Sequence, residues 1–298
     1  MIRWKWKLVV LLVMVVAVVS TYAWWTAPTR KTTRLIEYLY THMGEFDCFG
    51  PDRIAQDFLL DRSTNSADRE LKAMGSRAVP PLIDLLKDKR SGIRQLAAQY
   101  LGQMKDRRAV PALIVTMNDQ EVDVRNEAVR SLGAIGDPLA VKPLIAALSN
   151  QTSGCCCSAA RALGHLGDRI ATPALLKALQ DTNFMLRESA ADGLGDLRDP
   201  RAIDALVDSL DNTEVSWNAA LALAKMHRAD GISELLTSVK DSGSYGAQLE
   251  TVKALGELGD PRAKPALQEV AASNRSPEMN SEVAKALAKL ATTEPSSR

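Results

Sequence analysis

The chain has 298 residues, 46% of them hydrophobic but only 5% aromatic, with 37 Lys and Arg against 36 Asp and Glu. That balance leaves no global field to favour nucleic acid or an acidic surface, so any charged site has to be local. Three scattered histidines and no Cys-x-x-Cys pair make a zinc site unpromising.

The first element is an apolar run from Leu8 to Val19, preceded by Arg3, Lys5 and Lys7 and followed by Ser20, Thr21, Tyr22 and Ala23. As a secretory signal it has a basic start, an apolar stretch and small residues at Thr21 and Ala23 that suit cleavage after Ala23. Extended to Trp25 it makes about 27 Å of helix, roughly one hydrocarbon thickness. Trp4 and Trp6 on one side, and Tyr22, Trp24 and Trp25 on the other, sit where interfacial aromatic belts belong. Residues 1–25 are therefore read as an uncleaved transmembrane or signal-anchor helix, with cleavage and secretion as the alternative. The flanking charges, Arg3, Lys5 and Lys7 against Arg30, Lys31 and Arg34, nearly cancel. A single anchor that resembles an export signal most often keeps its short end in the cytoplasm, so the rest of the chain is expected to be periplasmic or extracytoplasmic.

Residues 26–77 read as a linker and degenerate capping helices. Pro28 ends the first helix by disfavouring helical geometry at Ala27. Thr32 or Thr33 is placed to cap a short helix carrying Leu35, Ile36, Leu39 and Tyr40, which the loop around Gly44, Cys48 and Pro51 closes. A second apolar stretch leads from Ile54 to Leu71 and Met74. Atypical end units of this kind cover the apolar face that a repeat array leaves at its terminus.

From residue 78 to 291 the chain repeats itself. Leu-Gly or Leu-Ala steps fall at Leu101, Leu132, Leu163, Leu194, Leu223, Leu255 and Leu287, at spacings of 29 to 32 residues. A fixed period in this range marks units too small to bury their own apolar faces, which stack on their neighbours. Length then counts repeats, and one elongated all-α domain is expected, followed by a disordered tail at 292–298. Each copy is punctuated as a helical hairpin. Pro80, Pro81, Pro111, Pro143, Pro173 and Pro265 stand in the first turn of the first helix, where a missing N–H is tolerated. Gly136, Gly167 and Gly259 follow the second helix, where a left-handed cap needs no Cβ. Asp137-Pro138, Asp199-Pro200 and Asp260-Pro261 supply turns. Val124, Ala128, Leu132 and Ile135 define the buried stripe of one second helix. The small middle residue recurs as Ala97, Ala128, Ala159, Ala190 and Ala219, allowing close helix approach.

The pattern Asp119, Val124-Arg125, Ala128, Leu132-Gly133, Gly136-Asp137-Pro138, Ala140-Val141, Pro143-Leu144-Ile145 resembles the short HEAT-like repeats often named after phycobilisome lyases. The resemblance implies a right-handed α-solenoid of about seven HEAT-like hairpins, with the second helices lining a concave face. It is specific for fold and weak for activity, because the family spans lyases, a hydroxylase and plain scaffolds. A deoxyhypusine-hydroxylase resemblance would imply a di-iron site built from His-Glu dipeptides. Here His42, His165 and His227 are followed by Met43, Leu166 and Arg228, so no metal or other cofactor is expected. No phosphate-binding loop, dinucleotide fingerprint or nucleophile elbow is found, and no catalytic residues are assigned.

Two local features, the cysteines and the outward charges, depart from plain repeat grammar, while an Arg and Asp ladder follows it. Cys155, Cys156 and Cys157 occupy, in turn, the apolar position of Val124 and Leu186, the position of Arg125 and Arg187, and a position toward an exposed face. Adjacent helical residues point about 100° apart, so the three thiols cannot share a metal. They read as small apolar substitutes at a helix start, with reactive thiols as the alternative and a disulfide to Cys48 conceivable if the repeats are exported. Arg94, Arg125 and Arg187 each follow an acid, Asp88, Asp119 and Asp181, by six residues, and are read as ties between adjacent turns. The outward positions of the second helices run Gln99 and Gln103, Arg130, Arg161 and His165, Asp192 and Asp196, Trp217 and Leu221, Lys253 and Glu257. A basic segment abuts an acidic one with an aromatic beyond, unlike the continuous basic track of a nucleic-acid binder. The sequence is thus read as a membrane-tethered scaffold that holds another protein or peptide segment on Arg130, Arg161, His165, Asp192, Asp196, Trp217 and Leu221, with no nucleic acid and no small-molecule substrate. The alternative is a lyase-like or chromophore-handling protein using the cysteine triplet and His165.

Overall fold

The computed structural model describes residues 32–34, 36–37, 69, 71–150, 154–241, 244–273 and 276–293. The anchor expected at residues 1–25 and the loop carrying Cys48 lie outside the described residues. Among those described, no helix is long and apolar enough to cross a membrane, and no strand is present.

The chain divides into two compact units, Met1–Ile135 and Gly136–Arg298, where the uniform period predicts a single domain. In a repeat array each copy touches only its neighbours, so an even sequence period carries no signal of where the contacts thin out.

In the first unit the hairpins are α1 (Val79–Leu85) with α2 (Ser91–Met104), and α3 (Val110–Thr116) with α4 (Val122–Ile135). The second unit holds five more: α5 (Val141–Ser149) with α6 (Cys156–Leu166), α7 (Thr172–Ala178) with α8 (Phe184–Leu197), and α9 (Ile203–Asp208) with α10 (Ser216–Lys225). The last two are α11 (Ile232–Asp241) with α12 (Tyr245–Leu258), and α13 (Lys264–Ser273) with α14 (Pro277–Thr293). The final helix thus runs two residues past the expected end of the array. Within each unit every second helix lies along the second helix of the next repeat, α2 on α4, then α6 on α8, α10, α12 and α14 in succession.

The Leu-Gly step makes this stacking possible. A Cβ on Gly102 would stand 2.8 Å from Ser131 Cβ, one on Gly164 would stand 2.6 Å from Gly193 Cα, and one on Gly195 would stand 2.7 Å from Ala222 Cα. Each Gly therefore abuts the small residue that precedes the Leu of the following copy. The Leu beside it is buried to 0% exposure at Leu101, Leu132, Leu163, Leu194, Leu223 and Leu255. Each such side chain is worth about 1.5–3 kcal/mol of burial. The predicted middle alanines, Ala97, Ala128, Ala159, Ala190 and Ala219, are likewise fully buried.

Five of the six junctions between the described hairpins are single 3-10 turns, each capped by an aspartate; the α10–α11 junction has none. Asp106, Asp137, Asp168, Asp199 and Asp260 accept from the backbone N–H two residues on, satisfying a donor that the turn would otherwise orphan. The position four after the step Leu is left-handed in six copies. Gly136, Gly167 and Gly259 fill it as predicted, and Lys105, Arg198 and His227 fill it at φ 50° to 56° despite their side chains. His227 therefore stands in the left-handed turn that follows the Met226 cap of α10.

Ahead of α1, Thr32, Ile36 and Leu71 are fully buried, and Glu37 pairs with Arg90 at 3.0 Å at the head of α2. These residues are packed within the first unit.

Candidate functional site

Burial of the Leu at six of the seven steps fixes what its helix presents outward. The residues two before and two after that Leu lie on the opposite side from the apolar stripe. In the second unit these are Arg161 and His165 on α6, Asp192 and Asp196 on α8, Leu221 and Lys225 on α10, and Lys253 and Glu257 on α12. Six residues before the Leu comes a further row, Glu188 on α8 and Trp217 on α10. Stacking brings these rows together as the lining of one groove of about 520 Å³, completed by Asn218, Glu250 and Ala254.

The groove is cross-linked between repeats. Arg161 Nε lies 3.4 Å from Asp192 Oδ2, and Asn218 Nδ2 donates to Asp192 Oδ1 at 3.1 Å. Lys225 Nζ donates to Asp196 Oδ1 at 2.6 Å, and His165 Nε2 lies 3.4 Å from Asp196 Oδ2. Lys253 pairs with Glu250 on its own helix at 2.9 Å. Trp217 Nε1 donates to Thr251 Oγ1 at 3.1 Å, and Thr251 Oγ1 donates to the Ala247 carbonyl at 2.8 Å. The indole is thereby pinned with its ring on the groove wall, beside Leu221. Burial pushes the Glu188 carboxyl above the usual carboxylate range, and the neighbouring Asp192 charge pushes it the same way.

Six of the seven residues predicted as a binding face, Arg161, His165, Asp192, Asp196, Trp217 and Leu221, line this groove. The seventh, Arg130, belongs to α4 of the first unit and pairs with Glu127 at 2.6 Å. Lys225 shares the register of His165 and Asp196, and Glu188 that of Trp217, so a row-by-row reading of the repeat would have added both.

The cysteines do something else. Cys155 is 1% and Cys156 8% exposed, and Cys157 is half-buried rather than on an exposed face. Burial pushes the Cys156 thiol up, and Cys157 adds to the shift. Buried, protonated thiols are poor nucleophiles. None of the three lines the groove, and among the described residues no cluster of His, Cys, Asp or Glu is arranged to hold a metal ion.

The arginine ladder is a set of ties. Arg94 Nη1 donates to the carbonyls of Asp88 and Lys89 in its own turn, while Nε and Nη2 form a two-pronged pair with Asp119 of the next repeat, both at 2.7 Å. Arg125 bonds the carbonyls of Asp119 and Gln120. Arg187 bonds those of Asp181 and Thr182 and pairs with Glu214 of the following repeat. At the other edge, Arg108 reaches the Ser76 carbonyl and Arg201 the Arg169 carbonyl, both at 2.9 Å. Turn carbonyls that helix geometry leaves unpaired are satisfied by these guanidiniums.

Stacked hairpins with an outward-facing groove across successive second helices define an all-helical repeat protein. HEAT repeats match residues 65–119, 79–154, 157–224 and 209–288, well over half of the chain, and the chain belongs to the HEAT-repeat family. Among solved structures it is similar to the CpcE–CpcF complex of phycocyanin lyase from Nostoc sp. PCC7120, at 24% identity and TM-score 0.58, over 73% of this chain and 88% of that one. It is also similar to a mutant of Kap121p, at 15% identity and TM-score 0.55, over 85% of this chain and 32% of that one. The E. coli protein YibA aligns over 91% of this chain and 96% of its own at 21% identity and TM-score 0.49. At these identities the likeness is one of fold. No curated protein matches the sequence.

Proposed function

We propose that this chain is a membrane-tethered HEAT-repeat scaffold that holds another protein on the groove of its second unit, with the repeats on the outer side of the membrane. The observation that carries this reading is the convergence of Arg161, His165, Asp192, Asp196, Trp217 and Leu221 on one groove, with a fixed aromatic among solvent-accessible charges. Partner anchors are enriched in Trp and Arg, and a groove rich in both charges and apolar surface suits a protein segment better than a small apolar ligand. The tether rests on the sequence of residues 1–25 alone. A lyase-like function would need a reactive thiol, and the burial of Cys155 and Cys156 weighs against it.

The test is recovery of the partner by crosslinking and pull-down with the full chain and with the Arg161→Glu, Asp192→Lys, Trp217→Ala variant. Loss of the partner supports the groove, and unchanged recovery removes it. For the tether, intact mass of the membrane fraction should retain Met1, and a soluble form beginning at Trp24 would contradict it.

A further inference from the structure

The charges of the groove do not balance. Five carboxylates, Glu188, Asp192, Asp196, Glu250 and Glu257, line it against three fixed cations. Each cation already has an acid: Arg161 pairs with Asp192, Lys225 with Asp196 and Lys253 with Glu250. Glu188 and Glu257 are left over, with no hydrogen bond or ion pair among the described residues. Between their helices stands α10, which carries Trp217 and Leu221 into the same groove, with the indole held by Thr251.

This arrangement asks for cationic groups on a chain that also has apolar or backbone surface. A carboxylate without a partner accepts charge-assisted hydrogen bonds from a guanidinium or ammonium, and a fixed indole face attracts the same groups. The spacing narrows the choice further. Glu188 on α8 and Glu257 on α12 are separated by one intervening second helix, about 16–20 Å across at 8–10 Å per packed pair, and by eight positions along the helix register, about 12 Å, so the span is roughly 20–23 Å. An extended peptide covers that distance in about six to seven residues.

We infer that the groove takes an extended basic segment of the partner protein, with two Lys or Arg side chains about six to seven residues apart seated on Glu188 and Glu257, and the stretch between them lying on Trp217 and Leu221. The inference rests on the reading of this groove as the partner-binding face. The raised carboxyl of Glu188 agrees with it, because a cation arriving there offsets both the desolvation of that carboxylate and its repulsion from Asp192. Nucleic acid is repelled by the same surplus of negative charge.

The probe is a labelled Gly/Ser peptide carrying two arginines separated by five residues, titrated into the full-length chain at low ionic strength and followed by fluorescence anisotropy. The same peptide with adjacent arginines, the same peptide with citrulline in place of arginine, and spermidine as competitor complete the set. The spaced-arginine peptide is expected to bind best, and Glu188→Gln and Glu257→Gln are each expected to weaken it about tenfold, the size of a lost charge-assisted hydrogen bond. The citrulline comparison uses the unaltered protein and so does not depend on how any variant folds. Equal binding of the citrulline peptide, equal competition by spermidine, unchanged binding to the double variant, or no binding by any peptide would each overturn the inference. If the peptides fail while the triple variant still loses the partner, the groove stands and its basic ligand is wrong; if the triple variant keeps the partner, the groove itself is wrong.

Discussion

Arg187 and Arg161 lie on neighbouring second helices of the same unit, and both reach an acid in the following repeat, yet they do different work. The Arg187 side chain is 13% exposed and holds two backbone carbonyls of its own turn, at 2.8 and 3.0 Å, as well as Glu214. That of Arg161 is 55% exposed and lies at the long distance of 3.4 Å from Asp192, with no carbonyl in its bonding. Recurring Arg and Asp at a repeat period can therefore mean a tie or a contact surface. What separates them is whether the guanidinium satisfies backbone groups out of water.

The sharpest way to break that comparison is to remove each arginine in turn. Arg187→Ala leaves two turn carbonyls unsatisfied and should cost about 2–3 kcal/mol in urea unfolding. Arg161→Ala should cost less than about 0.5 kcal/mol, as an exposed pair does. Equal losses would mean that the groove is as structural as the ladder.

Next in size is the seam beneath the groove. Gly164→Ala would drive a Cβ to within 2.6 Å of Gly193 Cα and 2.7 Å of Gly193 O, where no flexible side chain can give way. Forced separation of α6 from α8 should cost about 2 kcal/mol, as overpacking does, and should also move Arg161 and His165 away from Asp192 and Asp196. Thermal unfolding reads the first effect and partner recovery the second.

A smaller effect belongs to the turn edge. Asp199, 2% exposed, caps its turn, accepts from Thr172 Oγ1 at 2.6 Å and pairs with Arg201. The Arg201 guanidinium holds its carboxyl well below the usual carboxylate range. Because the folded value is depressed, the stabilisation is fully present above the unfolded value near pH 4 and is lost as pH falls through the folded value. Asp199→Asn should lower stability by about 1–2 kcal/mol at pH 7, and the gap from the unaltered protein should shrink below about pH 4. A gap independent of pH would assign the effect to packing.

Most of the hairpin plan was legible because it follows from local chemistry. Pro111 and Pro173 start helices, Gly167 and Gly259 end them, and Asp137 and Asp199 cap turns at the positions their residue types dictate. Lys105, Arg198 and His227 were not legible as left-handed residues, because their types do not announce that conformation and only the register shared with Gly136 and Gly167 does. In the groove, the outward faces of Arg161, Asp192 and Trp217 followed from helical geometry. Lys225 and Glu188 follow from the same geometry once each row is read across all copies, whereas Asn218 does not, since its role arises from its bond to Asp192 of the adjacent repeat, and sequence period does not say which side chain of one copy meets which of the next. The roles of Cys155 and Cys156 turned on burial, which left one at an apolar position and the other in the place of a ladder arginine.

The most direct test of the groove as the partner-binding face is site-specific photocrosslinking in the full chain, with the photoreactive residue placed at Leu221 in the groove or at Ile170, which is 64% exposed on a 3-10 turn. The account predicts that a partner is captured from position 221 and not from position 170. Capture from position 170 alone, or equally from both, would contradict it.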